Sequence, residues 1–420
     1  MRTVGYIASG VIVGSSLVIA SSAIAGGFAI REQSTTGLGL AFADSAAGSD
    51  LSSMYWNPAA VTAVDGMNSL SSFTAILPNV EMTPTAGTII GSTGIGGTQG
   101  TNSVGTTMDS LALLSGSYFN YQLSPQMYVG MSINAPFGTA TETNDKNWAG
   151  AHYNRKSEIL TINAAPTIGY KVSPMLSVAV GVQVQYIKAR LEISNPTQAQ
   201  ATAGSIVQKG EDVAVGFTAG LLLEPMSGTK IGVGYRSALN HKLDGEQFGH
   251  FVSSRNGDIT ADVKLPDMVT ISLRQQLTSN LAVMANYEWA NWSRLQELTF
   301  IAKDDGANVG GEDFKWEDSW FVSAGAELDV SETMTVRAGV GYEVTPVPDT
   351  TRSARLPDSD RVWLSFGGSY KWSDAMTLDF GYSHIFFEDS KIAKSELKGD
   401  LNADVANSAD IISIGMRHKW

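Results

Sequence analysis

Side chains able to do covalent chemistry are few in this 420-residue chain, and none has the spacing that catalysis needs. There is no cysteine, which removes thiol nucleophiles and cysteine–zinc sites. The five histidines form neither an HExxH pair nor any other pair at ligand spacing, and no G-x-S-x-G occurs. Ser383 and His384 are neighbours, but in an extended backbone neighbouring side chains point to opposite faces and cannot form a nucleophile–base hydrogen bond. The glycines of 91–100 are not followed by a helix, so they do not make a phosphate-binding loop. What remains is charge. Arg236, Arg274, Arg337, Arg361 and Lys371 share the polar phase of alternating segments with the acids Glu327, Glu343 and Asp379. Two readings of these cations stay open: ion pairs that hold an interior together, or a cation left to meet the carboxylate of a ligand. No cofactor and no metal site is expected from these residues.

The segments that carry those charges are long strands. In residues 361–384, Val362, Leu364, Phe366, Tyr370 and Trp372 fall on one face, and Met376, Leu378, Phe380 and Tyr382 repeat the pattern after the link Ser373-Asp374-Ala375. Such alternation is the period of an extended backbone. A strand in a soluble protein averages about 5–6 residues, whereas one that crosses a bilayer at a tilt takes about 9–11. An aromatic sits at or near the end of each apolar face, as at a membrane interface. Val178, Val180, Val182, Val184 and Tyr186 form another such face, as do Leu281, Val283, Ala285, Tyr287 and Trp289, and then Met334, Val336, Ala338, Val340 and Tyr342. Tight turns near 124, 173, 226, 279, 331 and 373 alternate with long connections at about 79–106, 140–157, 194–209, 244–260, 302–315, 345–360 and 389–408. Six short turns and seven long loops join fourteen strands, an even number with short turns on one side, as in a bacterial outer-membrane barrel. The expected fold is therefore all-β: a transmembrane antiparallel β-barrel of about fourteen strands over residues 68–420. A soluble sandwich would alternate too, but it does not call for so many strands of this length. The last strand places Ile412, Ile414, Met416 and Trp420 outward, and a terminal aromatic on an amphipathic strand resembles the signal read by the outer-membrane insertion machinery.

The remaining sequence fits an exported protein. Residues 1–25 read as a secretory signal: Arg2, an apolar stretch over 7–20, then Ala23-Ile24-Ala25 as the cleavage site. Beyond it no run of 18 apolar residues spans as a helix. The 43 glycines suit strands that meet closely and bend. Lys and Arg number 28 against 41 Asp and Glu, a net −13 that argues against nucleic acid as a partner. The acidic runs Asp304-Asp305 and Glu312-Asp313 read as solvated loops that bridge to lipopolysaccharide through divalent ions, with calcium binding as the alternative. Residues 26–67 lack sustained alternation and read as a compact, partly helical element. A barrel of fourteen strands is too wide for its own side chains to fill, so this segment is expected to plug it as an N-terminal hatch.

Several short motifs, in order along the mature chain, resemble the FadL/TodX-type outer-membrane transporters of long-chain fatty acids and hydrophobic hydrocarbons. They are Phe28 near the mature start, Gly37-Leu38-Gly39, Asn57-Pro58-Ala59, Asn134-Ala135-Pro136-Phe137-Gly138, Asn291-Trp292-Ser293, Pro346-Val347-Pro348, and Leu356-Pro357-Asp358-Ser359-Asp360-Arg361 leading into Val362-Trp363-Leu364-Ser365. The resemblance implies a monomeric barrel in the outer membrane of a Gram-negative bacterium. It further implies passive transport, with ligand bound in an internal apolar pocket and released sideways through a wall gap. It places Phe28 at the pocket, Asn57, Pro58 and Ala59 near the gap, and Asn134 and Pro136 in the kinked third strand that makes it. Arg236, Arg274, Arg337 and Arg361 are the pocket cations on offer. Long-chain fatty acids are the expected ligand, with aromatic or aliphatic hydrocarbons as the alternative within the family. A general porin is disfavoured by the hatch, and an enzyme by the absence of any catalytic constellation.

Overall fold

Alternating segments of this length have one arrangement in a bilayer that leaves no ladder edge bare, and the chain adopts it. The computed structural model describes residues 26–48, 50–91, 99–197, 204–250 and 253–420, so the export-signal reading of 1–25 and most of the glycine run at 91–100 lie outside it. Fourteen antiparallel strands form the wall. They are β1 (Met67–Pro84), β2 (Thr106–Met108 and Ala112–Gln122), β3 (Met127–Asn134 and Gly138–Glu142), β4 (Lys156–Ser173), β5 (Leu176–Ser194), β6 (Ser205–Met226) and β7 (Thr229–Arg236 and Leu239–Phe248). The second half comprises β8 (Gly257–Leu265 and Met268–Gln276), β9 (Leu281–Ala290 and Glu297–Ala302), β10 (Asn308–Asp313 and Ser319–Asp329), β11 (Met334–Val344), β12 (Arg361–Lys371), β13 (Met376–Phe387 and Ser390–Glu396) and β14 (Gly399–Lys419). Each strand pairs with the next, and β1 pairs with β14 from Asn68↔Lys419 to Pro84↔Ala403, which closes the cylinder. Closure removes the edges that lipid could not solvate.

The pleat sorts side chains as the period demands. On β5, Val178, Val180, Val182 and Val184 face lipid, while Gln183 and Gln185 between them are fully buried in the lumen. The expected long connection at 389–408 is instead a hairpin: Ser390–Glu396 pairs with the start of β14 across a turn at 397–398. There Leu401, Ala403 and Val405 continue the inward apolar row, so the strands overrun the membrane on the loop side. About half of the stretches at 244–260 and 302–315 is strand as well.

Inside the cylinder lies the segment 26–66. Its regular pieces are a helix at Thr35–Leu38 and 3-10 turns at Leu51–Tyr55 and Pro58–Thr62, each entered through a side-chain cap from Ser34, Asp50 or Asn57. Elements this short have no stability of their own; the wall holds them. A Cβ on Gly232 or Gly234 of β7 would lie 1.6 Å from Ala46 O and 1.9 Å from Trp56 O. One on Gly339 of β11 would meet Leu40 O at 2.1 Å, and one on Gly130 of β3 would meet Val61 at 2.5 Å. These strands lie around the whole circumference, so the segment is enclosed on all sides. The wall glycines are therefore needed mainly as seats for the segment inside, and not only where strands bend. The left-handed backbone at Ala41 and Phe42 (φ 47° and 59°) costs energy. It is held by the Phe42 ring, which is fully buried between Trp56 and Trp363 at centroid distances of 5.7 and 5.8 Å.

Gly232→Val should unseat this segment while leaving the barrel closed, because overpacking of this kind costs about 1–3 kcal/mol. The expected result is a barrel that still migrates as folded on unheated gels but conducts ions in planar bilayers. Wild-type conductance in the variant would show that the glycine seats do not hold the segment.

Candidate functional site

The site is built where β3 breaks. Pro136 has no N–H to give a ladder, and β3–β4 pairing stops at Asn134↔Asn163 and resumes at Gly138↔Leu160. The start of the inner segment takes over the freed groups: Ile30 N donates to Pro136 O at 2.8 Å and Gly138 N donates to Phe28 O at 2.8 Å. On the other side of β3, the ladder with β2 ends at Ser117↔Ile133, so residues 112–116 of β2 have no partner there. At this level the ladder is replaced by Gln33, whose Nε2 donates to Ala135 O (2.7 Å) and Ile30 O (2.9 Å). Tyr118 of β2 donates in turn to Gln33 O at 2.9 Å.

Beside this gap sits an aromatic cage. The Phe28 ring lies 4.8 Å from Trp292, 5.6 Å from Trp316 and 6.2 Å from Phe137, and the two tryptophans are 5.0 Å apart. The same apolar cluster continues toward the loop side through Leu239, Leu243, Ile187 and Ile259. It ends in a narrow groove of about 40 Å³, walled by Ile187, Leu191, Leu243, Ile259, Val263 and Phe300. Contiguous apolar packing thus runs from this groove to the cage.

Under the cage lies a buried ionic network. Arg31 reaches Glu288 of β9 (2.7 Å) and Glu343 of β11 (3.1 Å) and stacks 3.9 Å over Phe321. Arg361 bridges Glu343 (3.3 Å) and Asp358 (2.9 Å), and Asp358 also accepts the Gly27 amide at 3.1 Å. Glu32 is buried as well, and neither of its oxygens meets a donor from another residue. Burial pushes its carboxyl up to about 7, and the nearby Glu343 adds to the shift.

The profile of the outer membrane protein transport family (OMPP1/FadL/TodX) matches residues 16–420 of this chain. The chain belongs to this family. A long-chain fatty acid transport protein of Escherichia coli O6:H1 is 26% identical, over 90% of this chain and 91% of that protein. Outer membrane protein P1 of Haemophilus influenzae is 28% identical over 88% of each. Among solved structures, a Pseudomonas aeruginosa FadL homologue shares the fold at TM-score 0.84 and 21% identity, covering 94% of this chain and 99% of that one. The toluene transporter TodX of P. putida does so at TM-score 0.66 and 15% identity, covering 88% and 94%. This FadL-family barrel is an outer-membrane transport protein and not an enzyme.

The four arginines singled out from the sequence differ in what they meet in the FadL-family lumen. Arg274 pairs with Glu327 at 2.5 Å, Arg337 pairs with the same acid at 2.6 Å, and Arg361 is paired as above. Arg337 Nη1 also donates to Ser369 at 2.6 Å, and Asp379 is held by Arg417 at 2.7 Å, which extends a charged belt across β8 and β10–β14. Arg236 is different. It is buried, donates to Gln183 Oε1 (2.6 Å) and Tyr55 O (2.9 Å), and among the described residues no carboxylate lies within ion-pair distance. Lys371, expected in the lumen, is exposed at the turn beside Asp374 (2.7 Å), because β12 ends there. Asn57, with Pro58 and Ala59, is anchored on β6: its Nδ2 donates to Leu221 O at 2.9 Å and its Oδ1 caps Ala59 N at 3.0 Å. It is Gln33 that spans the gap itself. His384 pairs with Asp410 at 2.7 Å while Ser383 turns inward to Ser365, so those neighbours share no chemistry. Arg31 and Gln33 were missed because the inner segment has no alternation to phase them. Arg417 follows the same inward phase as its strand and was open to that rule.

The Glu32 shift has a sign that can be measured. Below about pH 4.5 the carboxyl is protonated in both states; between there and about 7 the unfolded segment ionises first, so stability falls as pH rises and then levels. Thermal melts from pH 4.5 to 8 should show that slope in the wild type and lose it in Glu32→Gln. An equal slope in both proteins would exclude Glu32 as its source.

Proposed function

We propose that the protein moves long-chain fatty acids passively across the outer membrane. They enter the apolar groove, displace Phe28 from its cage, and leave sideways into the membrane through the β2–β3 gap when Gln33 and the hatch shift. The observation that carries this reading is the contiguous apolar packing from the groove to a cage that abuts a break in the wall. A water-filled pore would not serve such solutes, because an apolar molecule gains nothing by entering water. Arg236, buried without a carboxylate, is the cation best placed to receive the ligand's own. It pairs in register with Met268, and Leu239 three residues on belongs to the same lining.

Magnitudes favour a long chain over a small ring. Burying a Phe side chain is worth about 1.5–3 kcal/mol, and each methylene about 0.8 kcal/mol. Two to four methylenes thus offset the loss of Phe28 from the cage, and the rest of an acyl chain is surplus. A molecule the size of toluene merely replaces a phenylalanine ring with its near equal. The hydrocarbon reading keeps its own support in the shared fold of a toluene transporter. The hatch switches the pocket between affinities by favouring one of two seatings, with no energy source. The protein acts as a monomer with residues 1–25 removed. Its exposed Trp420 is presented to the insertion machinery, and its loops meet lipopolysaccharide.

Uptake of labelled oleate and of toluene, in parallel, by cells lacking their own transporter tests this. Oleate uptake should be restored, and Arg236→Met should weaken it by the value of a charged hydrogen bond, about 1.5–3 kcal/mol, with toluene unaffected. Toluene uptake alone would make the protein a hydrocarbon channel, and uptake of neither would end both readings.

A further inference from the structure

The wall ladder is also interrupted between β6 and β7, four strands along from the β2–β3 gap, as it is between β1 and β2, β8 and β9, β9 and β10, and β13 and β14. Between β6 and β7 the ladder climbs to Thr218↔Arg236, stops, and resumes at Glu211↔Asp244. Residues 212–217 of β6 therefore face 237–243 of β7 without regular pairing, six against seven. The other side of β6 is continuous, paired with β5 from Ser205↔Ser194 to Leu223↔Leu176, so this is not the fraying of a strand end. One backbone bond, Ser237 N to Phe217 O at 2.9 Å, crosses its lower end, and side chains fill the rest. Phe217 N donates to Ser237 Oγ at 2.9 Å, and Lys242 N donates to the Asp212 carboxylate at 3.1 Å. His241 Nδ1 lies 3.0 Å from the same carboxylate, with its Nε2 3.2 Å from Gln185. Leu239 reaches across to Gly216, where a Cβ would come within 2.8 Å of its Cδ2.

The seam separates two apolar phases by one layer of side chains. Outside it, Val213, Val215 and Phe217 are 58%, 66% and 53% exposed on the lipid face. Inside it, Ala214, Leu239 and Leu243 belong to the lining that leads to Phe28. The outward residues of β7 at the seam itself, Asn240 and Lys242, are already polar, and on β6 Glu211 and Lys209 follow above it, which sets the seam at the level where lipid headgroups begin. Unpaired backbone groups in hydrocarbon cost several kcal/mol each and persist at membrane depth only where they are buried in protein or line a water-filled cavity.

We infer that the β6–β7 seam is a side entrance. Through it a single-chain amphiphile already dissolved in the outer leaflet slides its tail into the lining, without first passing the groove. Asp212 and His241 form the upper lip and Leu239 the door. Arg236, in ladder register at the lower lip, meets the carboxylate as it follows. This rests on the fatty-acid reading above.

The absence of native cysteine makes the test clean. Val215→Cys and Asn240→Cys place two thiols on the outer face across the seam, to be joined by a bismaleimide in the folded protein in bilayers. The probe is a diazirine-bearing palmitate. It is either loaded into the bilayer, with fatty-acid-free albumin outside to trap what desorbs, or delivered on albumin and photolysed at once. Labelling of the peptides around Leu243 and Ile259 is read by mass spectrometry. Before stapling, both donors should label the lining; after stapling, labelling from the bilayer should be lost while labelling from albumin persists. Bilayer labelling that survives the staple, or loss from both donors alike, would overturn the side entrance. No labelling of the lining from either donor before stapling would overturn the fatty-acid reading itself.

Discussion

In hydrocarbon, a backbone N–H or C=O has no partner but another backbone group or a well-placed side chain. Most of this molecule answers to that requirement. It forces the strands into a closed cylinder, joined by the long β1–β14 ladder. Closure at fourteen strands leaves a lumen that strand side chains cannot fill, so the chain supplies its own filling. Where the ladder fails, something specific replaces it: residues 28–30 and Gln33 at the β3 break, and Ser237 with Asp212 between β6 and β7. Both of these failures border the apolar lining.

Charge does the complementary work. The inner segment buries a carboxylate and a guanidinium side by side, Glu32 and Arg31, and ties the latter to β9 and β11. Removing one partner from such a buried set leaves a charge stranded at a cost of about 3–5 kcal/mol, so the network enforces one seating over any slid alternative. The belt formed by Arg274, Glu327, Arg337, Asp379 and Arg417 lies nearer the short turns and pairs its charges with one another. Arg236 stands apart because its partners are a carboxamide and a carbonyl, neither of which neutralises it.

The wall was legible in the sequence because a period of two survives over ten or more residues, as in the valines of β5 and the inward polar row of β12. The hatch was legible only as a lapse in that period. Its internal contacts were not, since Arg31 on Glu288 and Gln33 on Ala135 join positions 257 and 102 residues apart with no periodic signal to link them. Motif resemblance did better for the cage: Phe28, Trp292 and Phe137 come from three separated motifs and meet in one place. Strand ends were misjudged wherever alternation went on in small or polar residues, as in the Leu401, Ala403 and Val405 row. Ladder interruptions without proline, like that at 237–238, leave no mark that sequence reading could use.

The seats of the inner segment carry a consequence for biogenesis. They are distributed over strands from β3 to β13, and the cylinder is complete only when β14 finds β1, a contact that spans most of the chain. Contacts so remote in sequence are slow to form, and the short turns at Leu51–Tyr55 and Pro58–Thr62 cannot persist without them. The inner segment can therefore take up its structure only as the wall closes around it.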